Sequence, residues 1–185
     1  MTKKMTFFKE AIKSLKTSGS LIPSSKFLVK RILKNVDFKN AELIIEYGAG
    51  NGIITHEILK KIKPSATLVC FEINEVFYKE LKTINHPQLV VLDASAEQIE
   101  AEIKKLNFSE ICFVVSSLPL AILPKELSKT IIEKSFKLLK TGGKFIQFQY
   151  STKSLKLLKS IFIKKIVVDF EPLNIPPAFL YICEK

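Results

Sequence analysis

Leu43-Ile44-Ile45-Glu46-Tyr47-Gly48-Ala49-Gly50-Asn51-Gly52 decides how the rest of the chain is read. Leu43 to Ile45 is a short apolar run with the character of a buried strand. It ends in an acid, and three glycines follow at alternate positions. Ile53 to Leu59 then opens a helical pattern, apolar at positions 54, 58 and 62. Strand, glycine turn and helix form the front half of a nucleotide-binding βα unit. Glycine suits such a turn because the chain reverses sharply and a ligand can approach backbone that carries no Cβ. The order Glu-x-Gly-x-Gly-x-Gly differs from the dinucleotide fingerprint Gly-x-Gly-x-x-Gly. Glu46, Gly48, Ala49 and Gly50 are the first candidate ligand contacts. The competing reading is a glycine turn with no ligand.

Composition narrows the class. With 185 residues and 47% apolar content, the chain is long and apolar enough to fold around one core. No apolar run approaches the ~20 residues of a membrane span, and nothing near Met1 reads as a signal peptide. Cys70, Cys112 and Cys183 lie in apolar runs without metal-ligand spacing, so they are expected to be reduced and buried, with no metal site. Net charge is +11, and residues 1–40 hold ten Lys/Arg against Glu10 and Asp37. Such a block implies an anionic partner, nucleic acid or a membrane surface. Arg31 is the single arginine among 29 basic residues. Arginine is the residue suited to bidentate phosphate and base recognition, so a lysine-rich face fits diffuse attraction to lipid at least as well.

Residues 5–16 place apolar groups at 5, 8, 12 and 15 with lysines beside them, a basic amphipathic helix. Its readings are a membrane-interface helix or a helix packed on the domain. Gly19 to Ser25 is a turn-rich break, and Ser24 or Ser25 caps a helix from Lys26 to about Asn35. This stretch is a candidate lid, with Ser24 in it. Residues 1–40 are therefore set apart as docking and lid helices from a core over 41–185.

Strands and helices then alternate. A second strand, Ala66 to Phe71, ends at Glu72-Ile73, where an acid is placed to hold ribose hydroxyls. A third, Gln88 to Leu92, ends at Asp93-Ala94; Asp93 is read as a ligand to an adenine amine or as the cap of a helix starting near Ala96. Phe108 to Val115 runs into Ser116-Ser117-Leu118-Pro119-Leu120. A helix over 124–139 stops at Thr141-Gly142-Gly143, and a fifth strand covers 144–150. A short helix over 153–160, a sixth strand over 161–170 and a last strand over 178–183 follow. The fold class is α/β, a Rossmann-like seven-stranded sheet, mostly parallel with one antiparallel edge strand and helices on both faces.

These segments resemble a class I S-adenosylmethionine (SAM) methyltransferase over nearly the whole chain. Gly19 to Ser25, Glu46 to Gly52, Val115 to Leu120 and Asn174 to Ala178 are more narrowly similar to the bacterial phospholipid N-methyltransferases, which act on phosphatidylethanolamine. The resemblance implies SAM as cofactor, S-adenosylhomocysteine as product, and contacts at Glu46, Gly48, Gly50, Glu72 and Asp93. It puts Ser116 and Ser117 near the methyl group, with Leu118 and Pro119 on the substrate side. It implies an amino-lipid substrate, an anionic membrane as partner, and a cytoplasmic protein peripheral on the inner face of the membrane. The rRNA adenine dimethyltransferases are a rival resemblance. They carry Asn-Leu-Pro-Tyr where this chain has Ser117-Leu118-Pro119-Leu120, so the base-binding Asn and the stacking Tyr are both replaced. No helical RNA-binding domain is expected after the seventh strand, and nucleic acid is the weaker partner expectation.

Methyl transfer to an amine needs nucleophile, methyl and sulfur held in line. An amine with a reference pKa near ~10 also has to shed a proton. His56, one turn into a helix, and His86, beside Pro87, are poor candidates for a base. Ser117 and Tyr150 are better placed to orient the amine, with ordinary strand-end packing as the alternative.

Overall fold

The computed structural model describes residues 24–185. The basic helix expected over 5–16 and most of the turn after it lie outside those residues. Helix α1 spans Lys26–Leu33, with Ser25 as its cap: Ser25 Oγ accepts the Leu28 N–H at 3.2 Å. Strand β1 is Leu43–Tyr47, α2 Ile53–Leu59, β2 Thr67–Phe71, α3 Glu75–Lys82 and β3 Leu89–Leu92. A 3₁₀ turn over Ala96–Gln98 leads into α4, Ile99–Lys105, and then β4, Ile111–Ser116. Helix α5 is Lys125–Leu138, β5 Leu139–Gln149, α6 Leu155–Ile161, β6 Lys165–Glu171 and β7 Ala178–Glu184.

The strands form one sheet in the order β3-β2-β1-β4-β5-β7-β6. Strands β1 to β5 are mutually parallel, and β7 runs antiparallel to both β5 and β6. The antiparallel strand is thus inserted one place in from the margin, with β6 outermost. The chain leaves β1 for β2 and β3 on one side, then returns to β4 on the other. Sites in such sheets form at this reversal, outside the carboxyl ends of the strands.

Both sheet faces are covered. Leu28, Val29, Ile32 and Leu33 of α1 and Ile54 and Ile58 of α2 are buried against Ile44, Leu68, Cys70 and Val115. Ile54, Ile58 and Ile62 are the three apolar positions expected of this helix, and all are buried. On the other face Ile99, Ile131, Ile132, Leu158 and Phe162 cover Tyr47, Val69, Val114 and Phe145. Each such side chain contributes ~1.5–3 kcal/mol by leaving water. Cys70, Cys112 and Cys183 are buried in these layers. Helix α1 is also tied to the outermost strand: Arg31 Nη1 lies 2.9 Å from Asp169 and Nε 2.6 Å from Glu171.

Two boundaries differ from expectation. The sixth strand begins at Lys165 rather than at residue 161. Leu158 and Phe162 lie one helical turn apart and are both buried, so Ile161 and Phe162 complete the apolar stripe of α6. The fifth strand starts at Leu139, but residues 140–143 bulge out before pairing with β4 resumes at Lys144, and Gly142 there has φ 75°, so the expected turn lies inside the strand. Leu139 pairs with Ile111, and Gly142 N–H and Gly143 C=O bond to Lys185 at 3.0 Å each, so neighbouring strands satisfy the backbone there.

Candidate active site

The carboxyl ends of β1, β2, β3 and β4 lie side by side and carry the candidate residues. Gly48, Gly50 and Gly52 all have positive φ, 67°, 56° and 78°. At Gly52 an added Cβ would also come within 3.1 Å of Leu81 Cδ2. The loop is fixed from below, with Gly48 N–H donating to the Phe71 carbonyl at 2.9 Å. Ala49 is buried in the layer beneath α1 and α2.

Glu46 sits under this loop, fully buried. Its Oε2 accepts the Thr55 hydroxyl at 2.7 Å and the Cys70 thiol at 3.4 Å. Among the described residues its Oε1 has no hydrogen-bond partner. Burial drives the Glu46 carboxyl up to about 7, against the bonds from Thr55 and Cys70. The same burial, with Glu46 alongside, raises the Cys70 thiol. Glu46 therefore acts on the loop through α2 and β2.

Glu72 stands in the loop itself. One of its oxygens accepts the Gly50 N–H at 2.9 Å and the other the Asn74 N–H at 2.7 Å. Ile73 behind it is buried. Asp93 is exposed at the end of β3, and Ala94 beside it is half-buried. The cap expected of Asp93 belongs to its neighbour: Ser95 N–H donates to Gln98 Oε1 at 3.0 Å, and the Ser95 carbonyl accepts the Gln98 N–H. Asp93 is thereby left outside the helix start.

The segment after β4 lies against the glycine loop. A Cβ built on Gly48 would stand 3.8 Å from Ser117 Cβ and 3.5 Å from Leu118 Cδ2. Ser117 N–H donates to the Tyr47 carbonyl at 2.9 Å, while its side chain is half-buried. Ser116 is fully buried, and its hydroxyl accepts the Leu118 N–H at 3.4 Å. The Leu118 carbonyl accepts two side-chain amides, Gln147 Nε2 at 3.0 Å and Gln149 Nε2 at 2.9 Å. A carbonyl oxygen has two lone pairs, so this one is saturated. Pro119 closes the turn by accepting from Ile122 and Leu123.

Tyr150 follows β5 on the same rim and is 40% exposed. Partial burial raises its hydroxyl above the ordinary value, opposed by a hydrogen bond with Asn174. Its ring packs edge-on against Phe148. Tyr150 therefore stays protonated through the neutral range and serves as a hydroxyl donor or acceptor. Asn174 Oδ1 accepts the Ser25 N–H at 2.9 Å, and Asn174 Nδ2 donates to the Pro176 carbonyl at 2.7 Å. The half-buried Ser24 is thereby held beside the β6–β7 connection. His56 is exposed on α2.

Gln147, Gln149 and Asn174 were not singled out from the sequence. The first two had a signal, since two glutamines at alternate positions interrupt an otherwise apolar strand.

Residues 14–170 match the family model described as ribosomal RNA adenine dimethylase. An ornithine lipid N-methyltransferase of Singulisphaera acidiphila is 28% identical over 167 residues, covering 89% of this chain and 87% of that protein. A ribosomal RNA small subunit methyltransferase A of Mycoplasma capricolum is 30% identical over 123 residues, 65% of this chain and 45% of that protein. The chain thus spans less than half the length of that relative. The solved structure of a precorrin-6y C5,15-methyltransferase from Geobacter metallireducens superposes with a TM-score of 0.69 at 15% identity, covering 89% of this chain and 90% of that one. At that identity the likeness is one of fold.

Proposed function

The chain belongs to the ribosomal RNA adenine dimethylase family, a SAM-dependent methyltransferase, and within it we propose that its acceptor is the amine of a lipid headgroup. The residues present suit the cofactor. Three glycines hold positive φ at the end of β1, and the Glu72 carboxylate lies among backbone donors at the end of β2. Glu72 would hold the ribose hydroxyls and Asp93 the adenine amine, and Gly48 to Gly50 would form the backbone wall against the methionine portion. Bound SAM supplies an electrophilic methyl group on a sulfonium.

The choice of acceptor rests on Leu120. At the position where the rRNA enzymes place a stacking tyrosine, this side chain is only 5% exposed and packs in the core with Leu118 and Leu123. It offers no aromatic platform to a flipped base. The near-complete overlap with an ornithine lipid enzyme supports the same choice. Phosphatidylethanolamine and ornithine lipids both present the required amine. Ser117, half-buried beside Gly48, would accept an amine N–H and so orient the acceptor nitrogen beside the glycine loop. A neutral amine is favoured by the low-dielectric wall of Leu118 and Pro119. Tyr150, on the rim, bonds the headgroup. The protein works at the inner membrane surface, brought there by its lysines. Among the described residues no helix is long and apolar enough to cross a bilayer.

The test is methyl transfer from labelled SAM, offered in parallel to liposomes of phosphatidylethanolamine, liposomes of ornithine lipid, and small-subunit rRNA. Label in a lipid fraction is the expected result. Label in RNA alone overturns the amino-lipid reading and leaves the methyltransferase assignment intact.

A further inference from the structure

Helices α1 and α2 pack side by side on one sheet face and leave a groove of about 920 Å³ between them. Its floor is apolar: Val29, Leu33, Val36, Phe38 and Ile53. Phe38 and Ile53 are only half-buried, so the floor is open to a ligand. Its walls are basic, with Lys26, Lys30 and Lys34 from α1 and Lys60 and Lys61 after α2. Glu57 is the one acid among the lining residues, and it is paired with Lys60. Lys34 is paired with Asp169 at 2.9 Å. Among the described residues Lys26, Lys30 and Lys61 enter no salt bridge. The groove therefore presents uncompensated positive charge along both sides of an apolar bed, and one end reaches Ile53, directly after the loop glycine Gly52.

We propose that this groove binds one anionic amphiphile, an acyl chain on the apolar floor with its phosphate or carboxylate headgroup between Lys30 and Lys61. A groove of this volume is in the range that holds ligands of a few hundred daltons. A plain polyanion would use the lysines and ignore the floor. An uncharged lipid would use the floor and leave the lysines facing each other. The site is separate from the methyl-transfer centre at Gly48 and Ser117, and it does not depend on the acceptor being a lipid.

The experiment uses the full chain and a single-chain lysophosphatidylglycerol below its micelle concentration, followed by titration calorimetry. Lysophosphatidylcholine of the same chain length, inorganic phosphate and a structured RNA are the comparison ligands. The expected result is saturable binding of one lysophosphatidylglycerol per chain, tighter than the zwitterionic lipid and phosphate. Lys30→Gln and Lys61→Gln each weaken it about fivefold, the factor that corresponds to ~1 kcal/mol per lysine near an anionic surface. Phe38→Asn weakens it as well, with the circular dichroism spectrum checked for folding. No saturable binding by the intact chain overturns the proposal, as does binding that both lysine variants leave unchanged. Equal binding of phosphate, or full displacement by RNA with Phe38→Asn silent, makes the groove an ordinary cation patch and equally overturns it.

Discussion

A carboxylate oxygen of Glu72 accepts the backbone N–H of Gly50 at 2.9 Å across 22 positions of sequence. Its second oxygen holds Asn74 at 2.7 Å, so one side chain joins the glycine loop to the start of α3. Glutamine in its place keeps one acceptor oxygen and turns the other position into a donor facing a donor. Glu72→Gln should lose about 1.5–3 kcal/mol, the range for hydrogen bonds to a charged group. It should also weaken SAM binding at least tenfold by loosening Gly50. Calorimetric titration with SAM and urea denaturation check the two parts separately.

Glu46 makes stability depend on pH in an unusual direction. Its carboxyl is raised by burial from an unfolded value of 4.5 to about 7 in the fold. Between those values the folded protein holds a proton that the unfolded chain has released, so stability falls as pH rises from about 4.5 to about 7 and then levels off. The full span corresponds to a few kcal/mol, at ~1.4 kcal/mol for each tenfold difference in proton affinity between fold and unfolded chain. Glu46→Gln should flatten this part of the profile and raise the melting temperature most at pH 8. A variant whose profile matches wild type would remove Glu46 as the cause.

Opposite behaviour is expected where α1 meets β6. Burial pushes the Glu171 carboxyl up, but the Arg31 side chain and the Leu173 N–H outweigh it and leave it below its ordinary value. For Asp169 burial is likewise outweighed, by Lys34, the Phe170 N–H and Arg31. Depressed carboxyls stabilise above their unfolded values and lose that contribution as pH falls through the folded ones. Acid should therefore loosen α1 from β6, seen as lower hydrogen-exchange protection factors for Leu28 to Ile32 below pH 4.5 than at pH 6, once the slower intrinsic exchange in acid is divided out. Arg31→Gln should abolish the difference.

Two glycines with similar backbone angles should respond differently to alanine. Gly52 has φ 78° and its added Cβ meets Leu81 at 3.1 Å, while Gly142 has φ 75° and open space around it. A left-handed alanine costs roughly 1–2 kcal/mol. Gly142→Ala should show only that loss in chemical denaturation. Gly52→Ala should exceed it and also reduce SAM affinity.

Gln147 and Gln149 hold the Leu118 carbonyl and thereby the Ser117 turn. Gln147→Met keeps the volume and removes the amide that donates to both the Leu118 and the Phe148 carbonyls. Turnover should drop by roughly 10- to 100-fold, the cost of misplacing a reacting group by about an ångström. SAM affinity should stay near wild type, because the glycine loop is untouched. Equal losses in both would assign Gln147 a general folding role instead.

Local pattern made the first βα unit readable. Strand β1, the glycine turn and the apolar stripe at Ile54, Ile58 and Ile62 are all contained within twenty residues. Errors arose where a distant partner decides the outcome. The Ile161-Phe162-Ile163 run looks like a strand, yet Ile161 ends helix α6 and Phe162 caps it, buried with Leu158. Thr141-Gly142-Gly143 does turn, with Gly142 at φ 75°, yet Leu139 already pairs with β4 and Lys185 bonds to both glycines, so the strand is counted from before the turn. Of the two readings of Asp93, ligand or cap, the cap passes to Ser95 and Gln98. In the site, Glu72 was legible as a strand-end acid. The saturation of the Leu118 carbonyl was not, because it depends on β4 and β5 lying in register.

The position of β7 sets an order of assembly during synthesis. Strand β6 is made before β7, yet β7 is its neighbour in the sheet and fills the gap to β5. A nascent chain that has exposed residues 165–171 still lacks the ladder those residues join. Arg31 can meet Asp169 and Glu171 in their final places only after residues 178–184 have left the ribosome. Strand β7 therefore locks down a helix made more than a hundred residues earlier, and a ribosome stalled before residue 178 would carry α1 with its anchor strand undocked.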